Sequence, residues 1–124
     1  MKHRIHRAAG PLAVVLALAT APAFAHHGWS DYDGDHPLTL KGRIQAASYE
    51  NPHATITLDS DGKRYTVVLA PVSRMESRGA PREAVAVGRD VTVVGYASKT
   101  HAGELRAERI VIGDGAAEKT VELR

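Results

Sequence analysis

No cysteine occurs among the 124 residues, and the aromatic complement is one Phe, one Trp and four Tyr. The first absence excludes disulfide frameworks, thiolate metal sites and cysteine nucleophiles together. The chain also lacks the length for a two-domain enzyme, so one small domain is expected. No acidic residue precedes Asp31, whereas Lys2, Arg4 and Arg7 all lie in the first seven positions. An apolar run long enough to cross a bilayer is missing as well. The run at 12–21, Leu-Ala-Val-Val-Leu-Ala-Leu-Ala-Thr-Ala, is too short, and Ala23-Phe24-Ala25 follows it as a small-x-small site. Basic start, short apolar stretch and small-residue site together predict a secretory signal peptide over 1–25, cleaved after Ala25. Cuts after Ala21 or Ala23 also satisfy the small-residue rule, but the first leaves Pro22 directly behind the cut.

Without that leader, 99 residues remain with 13 Lys+Arg against 14 Asp+Glu. The basic character of the whole chain therefore belongs to the leader. A near-neutral domain exported to the periplasm or beyond has no electrostatic pull toward nucleic acid. A chain of this length buries roughly 60 to 70% of its unfolded surface, enough for one core without covalent staples.

Residues 26–37, His-His-Gly-Trp-Ser-Asp-Tyr-Asp-Gly-Asp-His-Pro, carry no helical or strand period and are dense in turn formers. They are expected to form an irregular N-terminal arm ahead of a folded domain over 38–124. From Leu38, the residues Leu40, Gly42, Ile44 and Ala46 alternate with polar ones, the period of a half-buried strand. After a break at Asn51-Pro52, the alternations at 53–58 and 64–69 flank Asp59-Ser60-Asp61-Gly62 and predict a hairpin with Gly62 at the positive-φ position. Ser73 with Glu76 three residues later, followed by Gly79, predicts one short helix. Strands are expected again around Val91–Gly95 and Leu105–Ile112, the latter with a broken phase that a bulge or an edge position would explain. Val121 and Leu123 close the chain as a short strand after Gly113-Asp114-Gly115. Three strands, a helix, then two or three strands is the order of the five-stranded Greek-key barrel called the OB-fold. The expected class is therefore all-β, an OB-like barrel of five to six strands with one short helix between strands 3 and 4. A small antiparallel sandwich would explain the alternation equally well but would not need the helix.

Cleavage after Ala25 would make His26 the mature terminus, where a free α-amine and an imidazole on one residue form a nitrogen chelate. With an amine pKa of about 8 and an imidazole pKa of about 6.5, both donors are substantially available near neutral pH, and such donors favour copper among the first-row divalent ions. His27 offers a second imidazole, although adjacent side chains on extended backbone point apart. His53, behind Pro52 on the outward face of the second strand, is the ligand candidate from the body. The bland alternative makes all three solvated histidines. His36 and His101 read as loop residues. Asp31, Asp33 and Asp35 fail as a calcium loop, because Gly34 stands fourth where the EF-hand needs its glycine sixth, and Gly42 stands where the bidentate Glu belongs. Trp29 is expected to fold back and pin the arm to the barrel; its alternative is an exposed ligand platform. No Ser-His-Asp order, paired-carboxylate motif, phosphate loop or haem tag appears, so no enzyme is expected.

The segments His26-His27-Gly28-Trp29, Glu50-Asn51-Pro52-His53, Leu69-Ala70-Pro71, Val87-Gly88, Gly95-Tyr96 and Arg106-Ala107-Glu108-Arg109 together resemble a family of small exported bacterial proteins known as a domain of unknown function. The resemblance implies that the His-His-Gly-Trp start and the Asn-Pro-His turn belong to the family pattern; it implies no activity. A looser similarity connects the terminal histidine to periplasmic copper carriers and copper oxygenases. The expected function is thus a periplasmic binding protein that takes a transition metal, copper, through His26, His27 and His53. The competing expectation is an interaction module for a partner protein or an envelope glycan, with the histidines incidental. Intact mass of the exported protein checks the premise: it should correspond to a chain beginning at His26, and a chain beginning elsewhere would remove the terminal chelate.

Overall fold

Alternation of aliphatic and polar residues sets most of the architecture. In the computed structural model, which describes residues 28–113 and 115–124, the order is β1 (Tyr32–Ser48), β2 (Thr55–Ser60), β3 (Lys63–Val68), α1 (Val72–Ser77), β4 (Asp90–Ser98), β5 (Glu104–Ile112) and β6 (Lys119–Glu122). Short 3₁₀ turns occupy Gly28–Asp31, Arg82–Val85 and Gly115–Ala117. The leader expected at 1–25 lies outside the described residues.

The strands run β3-β2-β1-β4-β5-β6, and a further parallel pairing of β3 with β5 closes the sheet into a ring. Helix placement, strand order and closure make this an OB-like barrel, as the sequence order suggests. The alternative of an open sandwich is not what forms. β1 serves both sides of the ring: it pairs with β4 from Tyr32↔Ser98 to Arg43↔Asp90 and with β2 from Arg43↔Asp59 to Ser48↔Thr55. A bulge at Gln45, where Ile44 faces Leu58 but Ala46 already faces Thr57, bends the strand at the changeover. It also corrects the expected phase. Leu40 and Ile44 are buried as the alternation requires, whereas Ala46 is exposed beyond the bulge, and Leu38 is exposed ahead of the barrel's closed part.

The β2–β3 hairpin turns on Asp61 and Gly62, at φ of 48° and 75°. Positive φ at both central residues is the turn whose twist matches the strands, and Gly at the second position adopts it without steric cost. The ragged phase of the fifth strand is a bulge: Val94 faces Arg109 while Gly95 faces Ala107, leaving Glu108 as the extra residue. Leu105 and Ala107 are therefore buried before it, and Ile110 and Ile112 after it.

Two expectations need correction. Strand pairing begins at Tyr32, so the irregular segment among the described residues ends at Asp31. Tyr32 is buried and its backbone joins the ladder, which polar turn formers on either side conceal in the sequence. Ser73 does not cap the helix. Pro71 occupies that position without a side-chain cap, and its carbonyl accepts from the N–H groups of Arg74 and Met75 at 2.9 and 3.0 Å. Proline suits the position because its fixed φ is helix-compatible and the missing N–H would have had no intrahelical partner. Gly79 ends the helix as expected, its N–H reaching the Glu76 carbonyl at 3.1 Å. The helix inserts the fully buried Met75 into a core shared with Ile44, Ile56, Leu58, Val67 and Leu105. Beside it, the Tyr49 hydroxyl donates to the Ala80 carbonyl at 2.7 Å, which satisfies the one polar atom that this ring brings inside.

Gly95 lies where β4 passes closest to β5, and a Cβ there would overlap the Arg106 carbonyl and approach the Ala107 Cα to 2.9 Å. Gly95→Ala should therefore destabilise the barrel by about 1–3 kcal/mol, as overpacking of a strand crossing does. Gly34→Ala, into open space, should be neutral or slightly stabilising. Chemical denaturation midpoints of the two variants test the contrast.

Candidate functional site

Because β5 alternates, Glu104 and Arg106 project from the outer wall while Leu105 and Ala107 fill the core, and the bulge adds Glu108 to the outer row. Each acid in this row accepts from a tyrosine. The Tyr32 hydroxyl donates to Glu104 Oε1 at 2.6 Å, and the Tyr96 hydroxyl donates to Glu108 Oε2 at 2.8 Å. Burial, then the bond to Glu104, pushes the Tyr32 phenol well above its ordinary pKa; for Tyr96 the bond to Glu108 is the leading cause. Both phenols accordingly stay protonated as donors.

Arg106 stands between the two acids and under the arm. Its guanidinium carbon lies 4.4 Å from the centroid of the Trp29 ring and 5.8 Å from that of Tyr32. The Arg124 guanidinium carbon is 4.7 Å from the same Trp29 ring. Trp29 also meets Tyr32 and Tyr96 edge-on, at 6.5 and 6.1 Å between centroids. These are favourable geometries for cation–π and edge-to-face contact. Lys99 completes the clasp: its Nζ donates to the Ser30 carbonyl at 3.0 Å and its backbone N–H to the Asp31 carbonyl at 2.9 Å. Trp29 thus pins the arm to the barrel, as its isolation in a polar segment suggests.

A cavity of about 280 Å³ opens beside this clasp. Thr55 of β2, Thr66 and Val68 of β3, and Glu104 and Arg106 of β5 line it side by side on the outer face of the barrel. Tyr32 and the Pro52-His53 segment, preceded by a cis Asn51–Pro52 peptide, form the rim. The β3–β5 pairing, in which Thr66 faces Glu104 and Val68 faces Arg106, brings these side chains onto one surface. The Arg106 Nε itself is buried out of reach of solvent and has no hydrogen-bond partner among the described residues. Burial lowers the pKa of this guanidinium from its ordinary value, and Arg74 and Arg124 act in the same direction against the influence of Tyr32.

Of the histidines singled out in the sequence, His53 lines this cavity, while His26 and His27 lie outside the described residues. His36 is exposed, its Nδ1 2.9 Å from Asp33 Oδ2, and the His101 Nδ1 is 2.9 Å from Thr100 Oγ1 in an exposed loop. Asp33 also accepts from the Asp35 N–H at 3.3 Å, a local turn role. Among the described residues no three His, Asp or Glu side chains are grouped as metal ligands. Arg106, Glu104, Tyr32 and Thr66 are not legible as site residues in the sequence. The alternation of Glu104, Arg106 and Glu108 around Leu105 and Ala107 carries a signal, but the bulge obscures it.

Among solved structures, the Stn1–Ten1 complex of S. pombe matches at 20% identity and a TM-score of 0.52, over 64% of this chain and 59% of that one. A complex of TiaS with tRNA and ATP matches at 21% identity and a TM-score of 0.49, over 68% of this chain and 20% of that one. The chain thus spans less than two thirds of these longer chains, and the first likeness concerns the fold. No curated protein matches. Among the described residues no helix is long and apolar enough to cross a membrane. A family model covers residues 13–106, most of the barrel included, and by that match the chain belongs to the family of unknown function DUF6152.

Proposed function

We propose that the protein is an exported, non-catalytic binding domain of the periplasm that takes a transition metal ion, copper, through His26, His27 and His53. One observation carries this reading. Trp29 is seated on Arg106, and Arg106 and His53 line the same cavity. His27 precedes Gly28 directly, and each further residue extends the chain by at most about 3.6 Å. The described chain therefore starts beside the cavity whose rim holds His53, and the two histidines directly precede it in sequence. A terminal amine with an imidazole supplies the chelate, and an imidazole from the rigid barrel converts a loose chelate into a preorganised site.

The second reading is an interaction module that binds a partner protein or an envelope glycan. It is favoured by the half-buried Trp29 and Tyr96 rings on the outer wall, since such rings combine apolar area with a polar handle. Nucleic acid stays outside both readings, because the 99 residues after the expected leader carry 13 Lys+Arg against 14 Asp+Glu and so no net positive charge to draw a phosphate backbone.

Calorimetry with the chain beginning at His26 should show about one Cu²⁺ bound in preference to Zn²⁺. A Met retained ahead of His26 should weaken copper binding sharply, and His53→Ala should weaken it by about tenfold or more. Trp29→Ala should raise the dissociation constant by freeing the arm, while His101→Ala should leave it unchanged. Equal affinities with and without the added Met, together with an unaffected His53→Ala, would overturn the metal reading in favour of the interaction module.

A further inference from the structure

The cavity beside the clasp is lined by a guanidinium that no carboxylate pairs with among the described residues. The other arginines within the strands are matched, Arg43 with Asp90 at 3.1 Å, Arg64 with Asp59 at 2.7 Å and Arg109 with Glu122 at 2.6 Å, all at exposed positions, while Arg74, Arg78 and Arg82 off the strands donate to backbone carbonyls. The Arg106 guanidinium is more buried than those of Arg43, Arg64 and Arg109, yet among the described residues no carboxylate pairs with it and its Nε donates to nothing. Its two acidic neighbours on the strand are already engaged, Glu104 by Tyr32 and Glu108 by Tyr96 and Arg124. The aromatic rings around Arg106 stabilise the cation but accept no hydrogen bond in the plane of the fork. The planar fork of a guanidinium matches a carboxylate, and with Nε out of reach of solvent the terminal nitrogens of Arg106 are the donors that a ligand in the cavity can meet.

We infer that this cavity is a binding site for a small organic monocarboxylate, with the carboxylate on Arg106 and the apolar body against Pro52 and Val68. Thr55 and Thr66 line the same cavity from the neighbouring strands, and their hydroxyls are further donors. At about 280 Å³ the space lies at the small end of ligand pockets, the size of a single ring or a branched aliphatic acid. Glu104 on the same wall opposes a second negative charge, so a monoanion is preferred to phosphate. Such a ligand needs no metal at the terminus in order to bind.

The test uses the mature chain with a Met retained ahead of His26, in EDTA, so that the terminal chelate plays no part. Benzoate, benzyl alcohol and inorganic phosphate are titrated by calorimetry and by emission of Trp29, the only Trp in the chain and the ring stacked on Arg106. Benzoate should bind one to one and about tenfold or more tightly than either benzyl alcohol or phosphate. Arg106→Gln should weaken benzoate by about tenfold or more, in line with loss of a charge-assisted hydrogen bond. Because Arg106→Gln also removes the stack on Trp29, Val68→Phe serves as the second variant: it fills the cavity, leaves the guanidinium in place and should abolish binding. His101→Ala, in an exposed loop outside the cavity lining, should leave benzoate affinity unchanged. No benzoate binding, equal binding by Val68→Phe, or phosphate as tight as benzoate would overturn the inference.

Discussion

Three parallel residue pairs, Thr66 with Glu104, Val67 with Leu105 and Val68 with Arg106, turn a curled sheet into a ring. Parallel neighbours cannot be joined by a tight turn, so the pairing depends on everything between them: the helix that crosses the barrel end and the long return through β4. Once formed it buries Val67 and Leu105 together in the core and leaves Thr66, Val68, Glu104 and Arg106 on the outer surface. The inner half of the seam is structural and the outer half forms the cavity. Neither exists without the other.

The N-terminal segment exploits that outer surface. A chain with one Trp and one Phe has few large rings, and the Trp sits on the outer wall instead of in the core. There it covers Arg106, meets Tyr32 and Tyr96 edge-on and shares its face with Arg124. Tyr32 links the two systems, since its ring lies near Arg106, its hydroxyl fixes Glu104 and its backbone opens β1. A displacement of Trp29 would therefore be felt at the cavity wall through Arg106. Binding at the cavity would in turn be felt by the arm through the Trp29 ring over Arg106. The bulges at Gln45 and Glu108 fit the strands to this arrangement. One lets β1 change partners, and the other turns Glu108 toward Tyr96.

Much of the barrel is legible in the residues alone. The Asp61-Gly62 hairpin, the helix stop at Gly79, the burial of Ile44, Ile56, Leu58, Val91, Val93, Val121 and Leu123, and the strand–helix order all follow from period and turn chemistry, which are local properties. The irregular phase around Glu108 is readable as a bulge for the same reason. The extension of β1 back to Tyr32 is not, because that segment is paired on a strand far away in the chain and has no period of its own. Ser73 has the spacing to Glu76 that a cap requires, but Pro71 already sets the first turn.

The candidate site divides along the same line. His53 and Trp29 are chemically conspicuous where they stand, one behind a proline and the other isolated among polar residues. Arg106 is not, since an arginine in an alternating strand is ordinary until its surroundings are known. Its lack of a carboxylate partner among the described residues, its place beneath Trp29 and its position across the seam from Thr66 and Val68 are relations among segments separated by dozens of residues. The sequence by itself determined which residues could face the core and where the chain could turn, because those choices depend on neighbours along the backbone. Only the tertiary structure decided which outward-facing side chains share a cavity, because strand register and ring closure set distances that no local pattern encodes.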